Sequence, residues 1–563
     1  MVSCCVSRER GGRKNMRYLH LLKREFQGYN AKLLTADLLS GITVAAVALP
    51  LALAFGVSSG ADAAAGLITA IVAGLVISLL SGGYYQISGP TGAMAAILMS
   101  VVARYSMQGV FIATFLAGAI LVVCGVLKLG RLTSFIPMPV ITGFTSGIAV
   151  IIALGQVDNF FGVTSQGETA VMKLLSYGTL GFHPNWTAVL MGLGVILFMV
   201  FFPKKWNAVV PASLISIVLA TAVSMLCHLD VAVVGAIPTT LLPDNRLTLS
   251  GLDWSAVSGL ISPAFSIAIL GMIESLLCGA SAGRMTGVRL DSDQELIAQG
   301  IGNMVLPFFG GIPATAAIAR TSVAIKSGAK TRLTGVFHAL ALLVFMLALA
   351  PVMSQIPLCA LAGVLMVTAW RMNEWSAIRF MMKRKLGTSL AMFFATMLAT
   401  IVFDLTVAIL IGVGLAVILL LGRLSHLEIQ YAPVDCDRLD IHDESARERL
   451  TGATVCYVNG PIMFANAQAV ESMADRLADS HTVFMSLRGV SDMDISGAQA
   501  MTRLADNLKR RGARLILTGL PERAKLMADR CGLTEAVGSG NFYRAMDRAI
   551  LGYHAEAQND VED

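Results

Sequence analysis

The sequence predicts an α-helical polytopic membrane protein followed by a small soluble α/β domain, and three observations carry that prediction. Of 563 residues, 55% are hydrophobic and only 14% charged, with a mean hydropathy of +0.71, whereas soluble chains carry about 25% charged residues. Two stretches, Ile87-Ser88-Gly89-Pro90-Thr91-Gly92-Ala93 and Gly311-Ile312-Pro313-Ala314-Thr315-Ala316-Ala317, set Gly and Pro ahead of small residues inside apolar territory. After Arg423 the long apolar runs give way to short strand-like and helix-like stretches.

Residues 1–35 are basic and amphipathic, with Arg8, Arg10, Arg13, Lys14, Arg17, Lys23, Arg24 and Lys32. They suit an anionic cytoplasmic leaflet better than nucleic acid. No cleavable signal peptide is apparent. The nine cysteines are scattered without zinc spacing or a disulfide framework. Cys4 and Cys5 lie beside basic residues but lack an acylation motif.

Residues 36–425 hold the membrane part. Apolar runs fall at 36–57, 64–80, 88–103, 109–128, 138–158, 186–203, 208–228, 261–282, 294–308, 313–326, 333–352, 357–370, 387–404 and 406–423, fourteen segments in all. Basic loop residues test that count. Lys128, Arg131, Lys204, Lys205, Arg284, Arg289, Lys326, Lys330, Arg332, Arg371, Arg379, Lys383, Arg384, Lys385 and Arg423 all follow even-numbered segments. The opposite side carries only Arg104, Lys173 and Arg246 among several acids. The positive-inside rule then places both termini in the cytoplasm.

The two Pro-centred breaks are the third and tenth segments, each third within a seven-segment half. Seven is odd, so the second half runs inverted relative to the first. A Pro with small neighbours suits the first turn of a helix, so each break reads as a helix starting partway through the bilayer. Irregular backbone survives at that depth only inside protein or along a wet cavity. Helix N-termini carry unpaired N–H groups and partial positive charge, so two converging ends make a site for a small anion. Ser88, Thr91 and Thr315 offer hydroxyl donors, and Gly89, Gly92, Ala314 and Ala316 offer close backbone approach.

Arg320 lies in the second broken segment. A cation there faces a cavity or a partner, or snorkels toward the face that holds Lys326. Glu274 is the clearest carboxylate within an apolar segment. It reads as a proton carrier, as a ligand helping to hold a cation, or as a structural partner of Arg320. Glu295, Gln299 and Asn303 fall at i, i+4 and i+8, a polar stripe suited to interhelical hydrogen bonding.

Residues 426–555 alternate strands with helices, as a small α/β domain does. Strands are expected at 427–431, 453–458, 482–487 and 514–518, and helices at 467–477, 496–509 and 522–531. Ser496, at a helix start, reads as a cap and as a phosphorylation site. Residues 556–563 read as a disordered tail. No nucleophile–base pair, metal cluster, Walker loop or dinucleotide fingerprint is present, so neither an enzyme nor a cofactor is expected.

These residues resemble the SulP (sulfate permease) family, called solute carrier family 26 in animals. The resemblance runs through DLLSGITVAAVALPLALAFG (37–56), ISGPTGA (87–93), AFSIAILGMIESLLC (264–278), AQGIGNMVLPFFGGIPATAAIARTS (298–322), VFDLTVAILIGV (402–413) and DISG (494–497). The tail resembles a STAS domain. The family implies core and gate domains, an elevator motion, a homodimer in the bacterial inner membrane, and an anion site between the third and tenth segments. By position, Phe55 matches a substrate-lining aromatic, Arg320 the site arginine, Glu274 the acid that couples to H+ or Na+, and Ser496 the phosphorylated STAS position. Sulfate or another inorganic anion is the general expectation. C4-dicarboxylate or bicarbonate symport, an uncoupled channel, or an exchanger are the alternatives. The texture of 264–332 is closest to dicarboxylate-transporting members. Expected partners are the anion, the coupling ion, membrane lipid, a second copy and a cytoplasmic protein such as acyl carrier protein, with no nucleic acid.

Overall fold

A 28-residue helix, opening where Asn30 accepts a hydrogen bond from the Leu33 amide, begins the membrane part of the computed structural model. The structure describes residues 14–130, 137–166, 170–203, 211–237, 240–248, 254–403, 405–424, 426–437 and 444–553. Cys4, Cys5, the basic residues before Lys14 and the 556–563 tail lie outside the described residues. The chain divides into two units, Met1–Gly414 and Leu415–Asp563.

The helices of the first part are α1 (Lys14–Glu25), α2 (Ala31–Ser58), α3 (Ala63–Leu80), α4 (Gly92–Val126), α5 (Met138–Gly155), α6 (Val157–Phe161), α7 (Ala170–Leu180), α8 (Trp186–Phe201) and α9 (Ala212–Leu226). Then come α10 (Trp254–Thr286), α11 (Ser292–Val305), α12 (Ile318–Lys326), α13 (Leu333–Met353), α14 (Leu358–Met372), α15 (Trp375–Lys383), α16 (Gly387–Val402) and α17 (Leu405–Leu424). Among the described residues, six helical stretches are long and apolar enough to cross a membrane, in α2, α3, α4, α5 with α6, α10 and α13. Shorter apolar helices occupy α8, α9, α14, α16 and part of α17. The third and fourth sequence segments form the single run α4, bent where Ser106 leaves helical geometry at φ 60°.

Two packing groups emerge. Helices α2, α3, α4, α10, α11, α12 and α13 pack on one another, and α5, α8, α9, α14 and α16 form the second group. Close backbone approach builds the first. A methyl group on Gly118 of α4 would lie 2.6 Å from the Gly300 carbonyl of α11, so only glycine fits that crossing.

The second unit is a five-stranded sheet of β3 (Glu428–Pro433), β4 (Ala453–Asn459), β5 (Thr482–Gly489), β6 (Arg514–Thr518) and β7 (Phe542–Tyr543), in that spatial order. The β3–β4 pair is antiparallel and the others are parallel. Alternation along β5 explains why both faces are covered. Val483, Met485 and Leu487 enter one core with Met501 and Leu504, while Phe484 enters the other with Ile516 and Ile550. The expected helix over 467–477 is helical but broken at Ser472 into two short helices, Ala467–Glu471 and Met473–Arg476.

Candidate anion site

The two Pro-centred breaks meet. Ser88–Gly89 (β1) pairs antiparallel with Thr315–Ala316 (β2), in the register Ser88 to Ala316 and Gly89 to Thr315. Neither Pro stands in a first helical turn. Pro90 precedes the cap Thr91, whose hydroxyl accepts from the Met94 amide, and α4 begins at Gly92. Pro313 precedes β2, and α12 begins at Ile318 with no side-chain cap. The helix starts thus fall two and five residues later than a Pro-first reading places them, because Thr91 stands between Pro90 and α4 as an extended cap, and Thr315–Ala316 pair with β1 before α12 can begin. The Ala317 amide donates to the Ile87 carbonyl (2.9 Å), and the Ile87 amide to the Thr321 hydroxyl (3.1 Å).

Glu274, on α10, fastens both breaks. Its Oε2 accepts the Thr91 hydroxyl at 2.9 Å and the Thr315 hydroxyl at 2.6 Å. One carboxylate oxygen therefore holds a residue from each half of the membrane part. Arg320, on α12, is 1% exposed. Its Nη2 donates to the Pro90 carbonyl, and its Nη1 is buried without a hydrogen-bond partner. Arg320 thus neither snorkels nor forms an ion pair with Glu274. It binds the opposite break and keeps one nitrogen unsatisfied, the condition in which a guanidinium gains most from an anion.

The stripe on α11 supports this arrangement from behind. Gln299 Nε2 donates to the Ser88 hydroxyl (2.9 Å) and to Glu295 (2.9 Å), so Ser88 faces α11. Asn303 reads both backbone groups of Ala314. Its Nδ2 donates to the Ala314 carbonyl (2.9 Å), and its Oδ1 accepts from the Ala314 amide (2.8 Å). Glu295 in turn accepts from the Ser81 hydroxyl (2.6 Å) and the Gly82 amide (3.0 Å). These positioning residues stand out in the sequence by spacing alone. Their partners, Ala314 in the next segment and Ser81, Gly82 and Ser88 more than 200 residues away, do not.

Phe55, on α2, and Ile152, on α5, close over the start of α4. A methyl group on Gly92 would lie 2.3 Å from Ile152 Cδ1 and 3.1 Å from Phe55 Cε1. On the far side of that contact lies a cavity of about 460 Å³ between α4, α5, α10 and α16, lined by Ile97, Ser100, Ile151, Ser262, Ser266 and Thr400 among others. Among the described residues no group of His, Cys, Asp and Glu is arranged to hold a metal ion.

The sequence comparisons now bear on this geometry. The profile of the sulfate permease family matches residues 34–396, and that of the STAS domain matches residues 445–549. The chain belongs to the sulfate permease family. It is 34% identical over 531 residues to YvdB of Bacillus subtilis (strain 168), covering 92% of this chain and 97% of that protein. The solved transmembrane domain of a cyanobacterium bicarbonate transporter, BicA, is 31% identical, with a TM-score of 0.62 over 69% of this chain and 98% of BicA's. Murine Slc26a9 shares the fold, with a TM-score of 0.84 over 98% of this chain and 96% of its own, at 18% identity. Members of the sulfate permease family are anion transporters, not enzymes.

In the STAS domain of this family member, Asp494 rather than Ser496 caps the helix Ile495–Arg510. The Asp494 carboxylate accepts from the Gly497 amide at 2.7 Å. Ser496 sits half-buried at the second helical position, past the extended residue that precedes the helix, so the cap falls to Asp494.

Proposed function

We propose that the protein is a secondary active transporter that moves a small inorganic anion, sulfate in the first instance, across the bacterial cytoplasmic membrane together with H+ or Na+. One observation carries this reading: Glu274 Oε2 holds Thr91 and Thr315, while Arg320 of the second break binds the Pro90 carbonyl of the first. Protonating the carboxylate, or placing a cation on it, changes its hold on both hydroxyls. Ion occupancy and the shape of the anion site then share atoms, and shared atoms are a route to a coupling free energy.

The anion binds between the starts of α4 and α12, against Arg320, with Phe55 covering it and the backbone of Gly89, Gly92, Ala314 and Ala316 at close approach. The split into two helix groups supports an elevator motion of one against the other. The basic loop pattern supports fourteen crossings with both termini in the cytoplasm. A homodimer, phosphorylation of Ser496 and a protein docked on the STAS domain belong to the same reading. Bicarbonate is the second substrate reading, favoured by the 31% identity to the BicA transmembrane domain.

Uptake into proteoliposomes tests it, with labelled sulfate, bicarbonate and succinate offered in turn under an inward H+ gradient, an inward Na+ gradient, or neither. One inorganic anion is expected to accumulate under one cation gradient, and Glu274→Gln is expected to abolish that dependence. Equal uptake without a gradient assigns a channel or uniporter. Uptake of succinate alone rejects the inorganic substrate.

A further inference from the structure

We infer that α1 and two loops of the transport unit form a binding site for the phosphodiester headgroup of an anionic phospholipid. Glu25, at its end, is a fully buried side chain that accepts from the Arg332 amide (2.6 Å) and Arg332 Nε (2.7 Å), and it pairs with Arg332 Nη2 at 2.7 Å. Arg332 Nη1 donates to the Leu79 carbonyl (3.0 Å) and the Tyr18 hydroxyl (3.3 Å), and the guanidinium lies 5.5 Å from the centre of the Tyr18 ring. Helix α1 is therefore fastened to the loop before α13 and the end of α3. The Glu25 charge is consumed by Arg332.

Beside this clasp lies a cavity of about 450 Å³. Its walls are His20, Leu21 and Arg24 of α1, Tyr84 of the connection after α3, and Gly287, Val288 and Arg289 of the connection after α10. Two arginines line it from separate walls, with a histidine and a tyrosine, and among the described residues no Asp or Glu lines the space. Arg24 and Arg289 form no ion pair among the described residues.

A phosphodiester presents two non-bridging oxygens that share one negative charge, and guanidinium forks bind such a pair. The space exceeds what a bare inorganic anion fills, and Leu21 and Val288 offer apolar contact to glycerol carbons. The basic loop pattern puts Arg24 and Arg289 on the same side as the anionic cytoplasmic leaflet. That sidedness rests on the orientation proposed above, whereas the binding chemistry does not. A bound headgroup would bridge α1 to the loop joining α10 and α11, the helices that carry Glu274 and Gln299. Lipid composition would then act on the anion site through those two helices.

The test uses the full chain in neutral detergent, where both faces are accessible and orientation plays no part. Thermal unfolding and native mass spectrometry are followed with added phosphatidylglycerol, phosphatidylcholine, inorganic phosphate or glycerol phosphate. Phosphatidylglycerol is expected to be retained and to raise the Tm, and phosphatidylcholine is not. Arg24→Gln with Arg289→Gln is expected to weaken phosphatidylglycerol binding by about tenfold or more. Arg284→Gln, an exposed site outside the cavity, is expected to leave it unchanged. The charge-keeping pair Arg24→Lys with Arg289→Lys retains part of the binding and guards against a folding defect. Equal retention of phosphatidylcholine, or undiminished binding by the glutamine pair, overturns the site. Equal stabilisation by inorganic phosphate or glycerol phosphate assigns a soluble phosphate instead and overturns the lipid.

Discussion

Gly89 lies directly against Arg320. A methyl group on Gly89 would fall 2.3 Å from Arg320 Nη1, and the guanidinium has no room to retreat because its Nη2 is engaged by the Pro90 carbonyl. Gly89→Ala must therefore displace the guanidinium or part β1 from β2. Overpacking of this kind costs about 1–3 kcal/mol, which a protein of this size survives. The variant is expected to fold with a lowered Tm and to take up anion about tenfold or more slowly, since small misplacements at a binding centre are costly. Wild-type uptake by Gly89→Ala would remove Arg320 from the site.

Asn303 makes a different prediction, because it satisfies a donor and an acceptor on one buried residue. Asn303→Ala leaves the Ala314 amide and carbonyl without that partner, at about 1–3 kcal/mol for each orphaned group. Asn303→Asp restores acceptance from the amide but turns a carboxylate toward the Gln299 and Ala314 carbonyls. Both variants are expected to lose uptake, with Asp the more destabilised in a thermal unfolding measurement. An Asp variant as stable as wild type would show that the amide geometry does not position the second break.

How much of this was legible in the sequence depends on the range of the interaction. The breaks at Pro90 and Pro313 announce themselves, because Gly and Pro in apolar surroundings have few other uses. Their pairing as β1 and β2 does not, since two-residue strands carry no periodicity. A Pro-first reading places both helix starts too early, as local propensity cannot know that Thr91 takes the cap at one break or that Thr315–Ala316 pair with β1 at the other. The stripe Glu295, Gln299 and Asn303 was visible as a spacing, and its partners Ser81, Ser88 and Ala314 were not. Sequence alone leaves Arg320 open between a cavity, a snorkel and an ion pair. The deciding partner, a backbone carbonyl 230 residues away, is invisible to composition. In the STAS domain, the alternating stretch 427–431 and the apolar run 482–487 can be read directly as strands, whereas β7, only two residues long, cannot.

Cys456 in the STAS domain tests the packing of that sheet. It is buried on β4, and burial pushes its thiol up from an ordinary value of 9.0 to about 12. The folded state therefore holds a proton that the unfolded chain releases between those values. The sign follows: with more protons on the folded state, this thiol's contribution makes stability fall as pH rises above about 9. At pH 8 the thiol stays protonated and covered, so maleimide labelling mapped by mass spectrometry is expected to modify Cys531, which is half-buried, well before Cys456. Labelling of Cys456 at the rate of Cys531 under native conditions would show that β4 is not packed as described.

Gly92 and Ile152 bring the two helix groups into contact at the mouth of the site. A methyl group on Gly92 would meet Ile152 Cδ1 at 2.3 Å, a distance no carbon pair tolerates, and Phe55 Cε1 at 3.1 Å, which a small shift of the ring relieves. Gly92→Ala alone is expected to hold α4 away from α5 and to slow uptake. Ile152→Ala alone opens a small cavity over the start of α4, and large-to-small changes of this kind cost about 2–5 kcal/mol where the residue is fully packed. Together the two changes add one carbon at Gly92 and remove three at Ile152, the clashing Cδ1 among them, so the double variant is expected to recover much of the uptake that Gly92→Ala loses. The double-mutant cycle reads this as a coupling of about 0.5–3 kcal/mol between contacting residues. If Gly92→Ala and Ile152→Ala are instead additive, the two helices do not meet at this point during transport, and closure over the site must come from Phe55 alone.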